Sequence, residues 1–191
     1  SRIFYQVSLC NEYLRETTDA KLDSRGVTGD LRTQIGNYRA EARYLRALSY
    51  WHALDLFRNV PFVTENDVVG AFFPQQISKD DLFAYIESEL LAIENLMVAP
   101  KANEYPRADQ AAVWTLLAKL YLNAEVYTGT GRYTDCANYC QKVIDAGYSL
   151  EADYRHLFLA DNDNTTETIF GVAYDGKKTQ TYGGTTFLVH A

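Results

Sequence analysis

Hydrophobic positions in the first two thirds of the chain recur every three or four residues, the spacing that lays an apolar stripe along a helix. Ile3, Val7, Cys10 and Leu14 predict a first helix over about residues 2–17. Residues 17–30 are polar, hold Gly26 and Gly29, and read as a loop. Leu31, Ile35, Tyr38, Ala42, Leu45 and Ser49 share one face of a second helix, over about 30–57. Arg58-Asn59-Val60-Pro61 stops it, because proline disfavours helix at the residue before it, and 62–64 is a short extended piece. Ser78 with Asp81 three residues on resembles a capping box with Asp in place of Glu. It opens a third helix, whose buried stripe is Leu82, Ile86, Leu90, Ile93 and Met97. A fourth helix is predicted over about 108–127 and a fifth over 133–146, stopped by Gly147. After Asp161 the period changes, and 168–174 and 186–189 read as strands around a polar, Gly-rich loop. The predicted fold class is mainly α: a helical core over 1–160, then short strands and irregular loops over 161–191.

The chain has 191 residues, enough for one domain or a piece of something larger, and a folded chain of that size buries roughly 70% of its unfolded surface. With 47% hydrophobic and 23% charged residues it is neither disordered nor low-complexity. Eighteen Lys and Arg against 25 Asp and Glu leave a net charge of −7, which argues against a nucleic-acid partner. No apolar run is long enough for a transmembrane helix. Both ends fall inside patterned segments, so the chain reads as part of a longer one, and its termini say nothing of localisation. Cys10, Cys136 and Cys140 are odd in number and lack CxxC spacing, which excludes a disulfide framework and a zinc site. Cys136 and Cys140 sit at i, i+4 on the fifth helix and are expected to be reduced and buried against the fourth.

Candidate chemistry gathers late in the chain. Residues 175–185 follow a predicted strand and offer Asp175, Gln180, Thr181 and Tyr182 beside Gly183 and Gly184. A flat ring flanked by hydrogen-bonding side chains suits a sugar, whose CH faces are apolar and whose rim is hydroxylated. The plainer alternative is that Tyr182 packs the loop down. Asp161, Asp163, Thr165 and Glu167 alternate as hard oxygen donors, but Thr166 and Val172 break the EF-hand pattern, so a capped, solvated turn stands against a calcium loop. Glu41, Arg43 and Arg46 are expected to tie helices together through ion pairs. The histidines, His52, His156 and His190, form no HExxH or triad spacing, and no pair of acidic residues is singled out for glycoside hydrolysis.

Two resemblances sharpen this. Trp114, Leu117, Ala118 and Tyr121, then Tyr133, Cys136, Cys140 and Val143, have the spacing of a tetratricopeptide helix pair with six residues inserted between. Glu41-Ala42-Arg43-Tyr44-Leu45-Arg46-Ala47, followed by Asp55-Leu56-Phe57-Arg58-Asn59-Val60-Pro61-Phe62-Val63, resembles the SusD/RagB family. Arg107-Ala108-Asp109, Ala118-Lys119-Leu120-Tyr121-Leu122, Leu157-Phe158, Asp161-Asn162-Asp163-Asn164 and Glu167-Thr168-Ile169-Phe170 follow in family order. Arg58 stands where the family usually has Gly, and Tyr44 where Phe is commoner. The resemblance, closest to the starch-binding type, implies a fragment of a single SusD-like domain on a tetratricopeptide-like scaffold. It implies a glycan ligand, a SusC-type TonB-dependent porin as partner and no catalysis. It also implies the outer membrane of Bacteroidetes, reached through a lipid anchor outside this chain. No cofactor is required, and calcium is admitted at Asp161 and Asp163 because family members can carry it. The alternative is a helical-repeat scaffold that binds protein and no sugar.

Overall fold

The computed structural model describes residues 2–70, 72–159, 161–174 and 177–179. Helix α1, Arg2–Glu16, buries Val7, Cys10, Asn11 and Leu14, close to the predicted stripe. Where a loop was expected over 17–30 there is a further short helix, α2, Asp19–Ser24. Its N-cap Thr18 accepts from the Lys21 N–H at 3.4 Å and it buries only Leu22, so one anchor and a cap make a helix that leaves no apolar stripe to read. Helix α3, Gly29–Phe57, has 29 residues, or about 43 Å at 1.5 Å per residue. Its second half is the central spine, burying Tyr44, Arg46, Ala47, Tyr50, Ala53 and Leu54.

Arg58 ends α3 at φ 64°, ψ −77°, and the Asn59 N–H donates to the Phe57 carbonyl at 2.8 Å. That is a classic-type γ-turn, a backbone that only glycine adopts without strain. The turn leads into β1, Val60–Pro61, which pairs antiparallel with β2, Gln76–Ile77, in the register Val60 to Ile77 and Pro61 to Gln76. Helix α4, Lys79–Ile93, begins with the predicted cap: Ser78 accepts from the Asp81 N–H at 3.1 Å and donates to the Asp81 carboxylate at 2.6 Å.

The predicted fourth helix divides at Asn123 into α5, Gln110–Leu122, and α6, Ala124–Thr128. α5 is buried over most of its surface, from Ala111 through Val113, Leu117 and Leu120 to Tyr121, as its largely apolar sequence requires, and leaves Lys119 and Leu122 exposed. Helix α7, Tyr133–Asp145, runs antiparallel to it, since Tyr121 meets Arg132 and Tyr139 while Trp114 meets Lys142. This is the helix pair that the tetratricopeptide spacing predicts.

The expected burial of both helical cysteines is corrected here. Cys136 is half-buried and Cys140 exposed, whereas Cys10 is buried. The seam of α7 against the core passes through Cys136 and Tyr139, which turns the next position away from it.

The strand expected over 168–174 does not form among the described residues; 165–174 run as irregular chain, and 186–189 lie outside them. Ile169 and Phe170 both pack onto the helical core instead of alternating, and among the described residues no sheet edge pairs with their backbone groups. The two strands described, β1 and β2, lie before α4.

The expected ties between helices are present. Arg43 donates to both Glu89 oxygens, at 3.1 and 2.8 Å, joining α3 to α4. Arg107 grips Glu41 through Nε at 3.1 Å and through Nη2. Arg46, only 2% exposed, donates to Asn11 at 2.7 Å, to Glu89 at 2.9 Å and to Glu65.

Candidate functional site

The predicted sugar-contacting residues Asp175, Gln180, Thr181 and Tyr182 lie outside the described residues. What is described is the approach to them. Residues 165–170 lie across the spine, where Phe170 sets its ring edge on Tyr44 at 5.4 Å and 85°. Two hollows flank this crossing. Both bring together elements far apart in the chain.

The smaller hollow, about 280 Å³, is bounded by residues 101–109, Tyr148 and residues 163–171. Its frame is the buried Asp109, which caps α5 by accepting from the Ala111 and Ala112 N–H groups at 2.9 and 3.2 Å. Its other oxygen accepts from the Lys101 N–H at 2.7 Å and the Tyr148 hydroxyl at 3.0 Å. Burial, and then the Asp109 carboxylate, hold the Tyr148 phenol far above its ordinary pKa, so it stays a donor. The Lys101 ammonium lies 4.7 Å from the Tyr148 ring centre. Tyr105 stands exposed at the edge, with Gly171 opposite.

The larger hollow beside the crossing, about 450 Å³, lies between α3, α5 and residues 167–170. Tyr44 and Leu48 line it from α3, Thr115 and Lys119 from α5, and Glu167 from the crossing segment. Glu167 accepts from the Glu151 N–H at 2.7 Å, which ties the segment to the residues after α7.

A further cavity of about 580 Å³, larger than either hollow, shares no residue with them. α1 and residues 61–74 line it, with Phe4, Val63, Val68, Val69 and Phe72 making it mostly apolar. Asn11 and Arg15 of α1 hold its far wall by donating to the Val63 and Glu65 carbonyls at 3.2 Å each. Size alone would favour it; polar groups converging beside the approach to the predicted loop favour the crossing.

Asp161 and Asp163 are exposed on a 3-10 turn, Asn162–Asn164, where the Asn164 side chain donates to the Asp161 carbonyl at 3.2 Å. Thr165 closes the turn, donating to Glu151 at 3.2 Å and accepting from the Glu167 N–H at 3.2 Å. Among the described residues no group of three or more His, Cys, Asp or Glu side chains is placed to hold a metal ion. Calcium takes six to eight oxygens; the contacts described here are those of a capped turn. Sequence reasoning missed the two hollows, because nothing in periodicity sets residues 44, 119 and 167 side by side. The Glu167-Thr168-Ile169-Phe170 motif was the available signal.

No family model matches the chain. It is 41% identical to the starch-binding protein SusD of Bacteroides thetaiotaomicron over 194 aligned residues, which are 98% of this chain and 32% of that protein. The chain thus spans about a third of the length of that curated relative. A solved laminarin-binding SusD-like protein superposes with a TM-score of 0.78 at 24% identity, over 95% of this chain and 38% of the other. A solved SusD superfamily protein from Parabacteroides distasonis gives 0.72 at 25% identity, over 93% and 39%. The helical scaffold with few short strands is therefore shared with both.

Proposed function

Because this chain belongs to the SusD-like family, we propose that it is part of a cell-surface glycan-binding protein that passes oligosaccharides to a SusC-type TonB-dependent transporter. The ligand proposed is starch-derived, a maltooligosaccharide. The observation that carries this choice is the 41% identity, over 98% of the chain, with a protein named for binding starch. The laminarin-binding neighbour marks a competing sugar on the same scaffold. Binding without turnover is the reading, since the similar proteins are named as binders. The loop 175–185, with Tyr182 as stacking platform, supplies the sugar face in this reading. Attachment to the outer membrane is through a lipid; among the described residues no helix is long and apolar enough to cross a membrane.

Calorimetric titration of the intact protein with maltoheptaose, laminarihexaose and a xyloglucan oligosaccharide tests the proposal, with chromatography of each sugar afterwards. Saturable heat with maltoheptaose and no shorter products is expected. Shortened products would make the protein an enzyme. Silence with all three sugars would turn the reading to a helical scaffold for protein partners.

A further inference from the structure

We propose that the 450 Å³ hollow between α3, α5 and residues 167–170 is a sugar subsite, with the Tyr44 hydroxyl at its floor and Lys119 and Glu167 on its walls. This rests on the glycan-binding reading above and adds to it a place and a set of contacts separate from the loop 175–185.

Tyr44 is only 3% exposed, and its ring does the work of a core residue against Phe170. A phenylalanine would pack equally well, so the hydroxyl needs its own explanation. It makes no hydrogen bond among the described residues. Buried hydroxyls without partners are costly and rare. Neither is this one sealed in. The enclosed polar side-chain atoms without partners, among the described residues, are Arg46 Nε, Trp51 Nε1 and the Tyr85 hydroxyl. The Tyr44 hydroxyl therefore has space in front of it, and the space that Tyr44 borders is this hollow. At about 450 Å³ the hollow lies within the range of small-molecule sites, and far above the ~30 Å³ that one water occupies.

The walls define the ligand. Lys119 makes no ion pair among the described residues; its ammonium rests 5.6 Å from the Trp51 ring centre. Glu167 spends one oxygen on the Glu151 N–H and keeps the other. The two charges share the hollow without pairing to each other, which leaves a donor and an acceptor for something between them. An anionic ligand would meet Glu167, and a cationic one Lys119, each at like charge. A neutral ring bearing hydroxyls satisfies both, takes either role with the Tyr44 hydroxyl, and lays its CH faces on Leu48, Leu116 and Phe170.

The test titrates intact wild-type protein, Tyr44→Phe and Lys119→Ala with maltoheptaose and laminarihexaose, beside a thermal melt of each. The wild type is expected to bind at least one of them. Tyr44→Phe should then weaken binding about 2- to 12-fold, the worth of one hydrogen bond, with a melting temperature unchanged or raised. Lys119→Ala should weaken it similarly and leave the melt in place. Wild-type affinity in both variants would show that water alone fills the hollow and would overturn the proposal. A lowered melt with unchanged affinity in Tyr44→Phe would make the hydroxyl structural and overturn it equally. A wild type silent to both sugars would instead overturn the glycan reading, and this proposal with it.

Discussion

Arg46 is a guanidinium placed almost wholly out of water, and its surroundings decide whether that stabilises the protein. Asn11, Glu65 and Glu89 take its Nη protons, while its Nε has no partner among the described residues. Glu89 answers both Arg46 and Arg43. Burial by itself would raise the Glu89 pKa, but the hydrogen bonds and charges of the two arginines outweigh it and hold the value below 4.5. A carboxylate held below its unfolded value adds stability above about pH 4.5, and that share is lost as pH falls through the folded pKa. Chemical denaturation of Glu89→Gln should therefore show a shallower loss of stability between pH 5 and about pH 3 than wild type. At neutral pH Glu89→Ala should cost about 3 kcal/mol, because it takes the shared carboxylate from Arg43 and leaves the buried Arg46 with Glu65 alone as counter-charge. Arg58 poses the opposite problem, strain in the backbone with an exposed side chain that donates to the Val126 carbonyl at 2.7 Å. Arg58→Gly and Arg58→Ala both lose that bond, so their difference isolates the backbone. The glycine variant should be the more stable by ~1–2 kcal/mol in urea titrations, and equal stabilities would show the turn to be unstrained.

Among the elements, the pairing of α5 with α7 is where sequence pattern reached furthest and also where it overreached. Trp114, Leu117, Ala118 and Tyr121 announced the helix pair, because a close helix approach needs small and large residues at fixed spacing. The same pattern placed both cysteines in the seam, and only Cys136 is there. Iodoacetamide should accordingly modify Cys140 fastest and Cys136 more slowly. Cys10, whose thiol burial pushes up to about 11, should react only on unfolding. Tandem mass-spectrometric time courses, which locate the label within the tryptic peptide 133–142 that carries both Cys136 and Cys140, read this directly, and equal rates at 136 and 140 would contradict the seam. α2 escaped notice for a different reason, since a cap at Thr18 and a single apolar anchor at Leu22 carry no period. The strand expected over 168–174 failed because alternation proposes a strand, and only a neighbouring edge makes one. The hollow at Tyr44 was illegible as a site, for it is assembled by α3, α5, Leu157 and residues 167–170, which meet only in the folded chain.

At the scale of the whole molecule, a net charge of −7 coexists with arginines that are mostly engaged in ion pairs within the fold. The polar network on Arg46 joins residues 11, 46, 65 and 89, drawn from α1, α3, the chain after β1, and α4. Contacts so far apart in sequence close long loops and give little return until the helices have docked. They are therefore expected to be absent at the top of the folding barrier and complete only after it. Weakening them should shorten the lifetime of the native protein and leave its rate of formation nearly untouched. In stopped-flow chevrons, Glu89→Ala should raise the unfolding rate roughly a hundredfold, with the refolding limb superposed on that of wild type. For a protein exposed to proteases, the time between openings matters beside the free energy itself. A charge cluster that adds only a few kcal/mol to stability would then act mainly as a latch on that time.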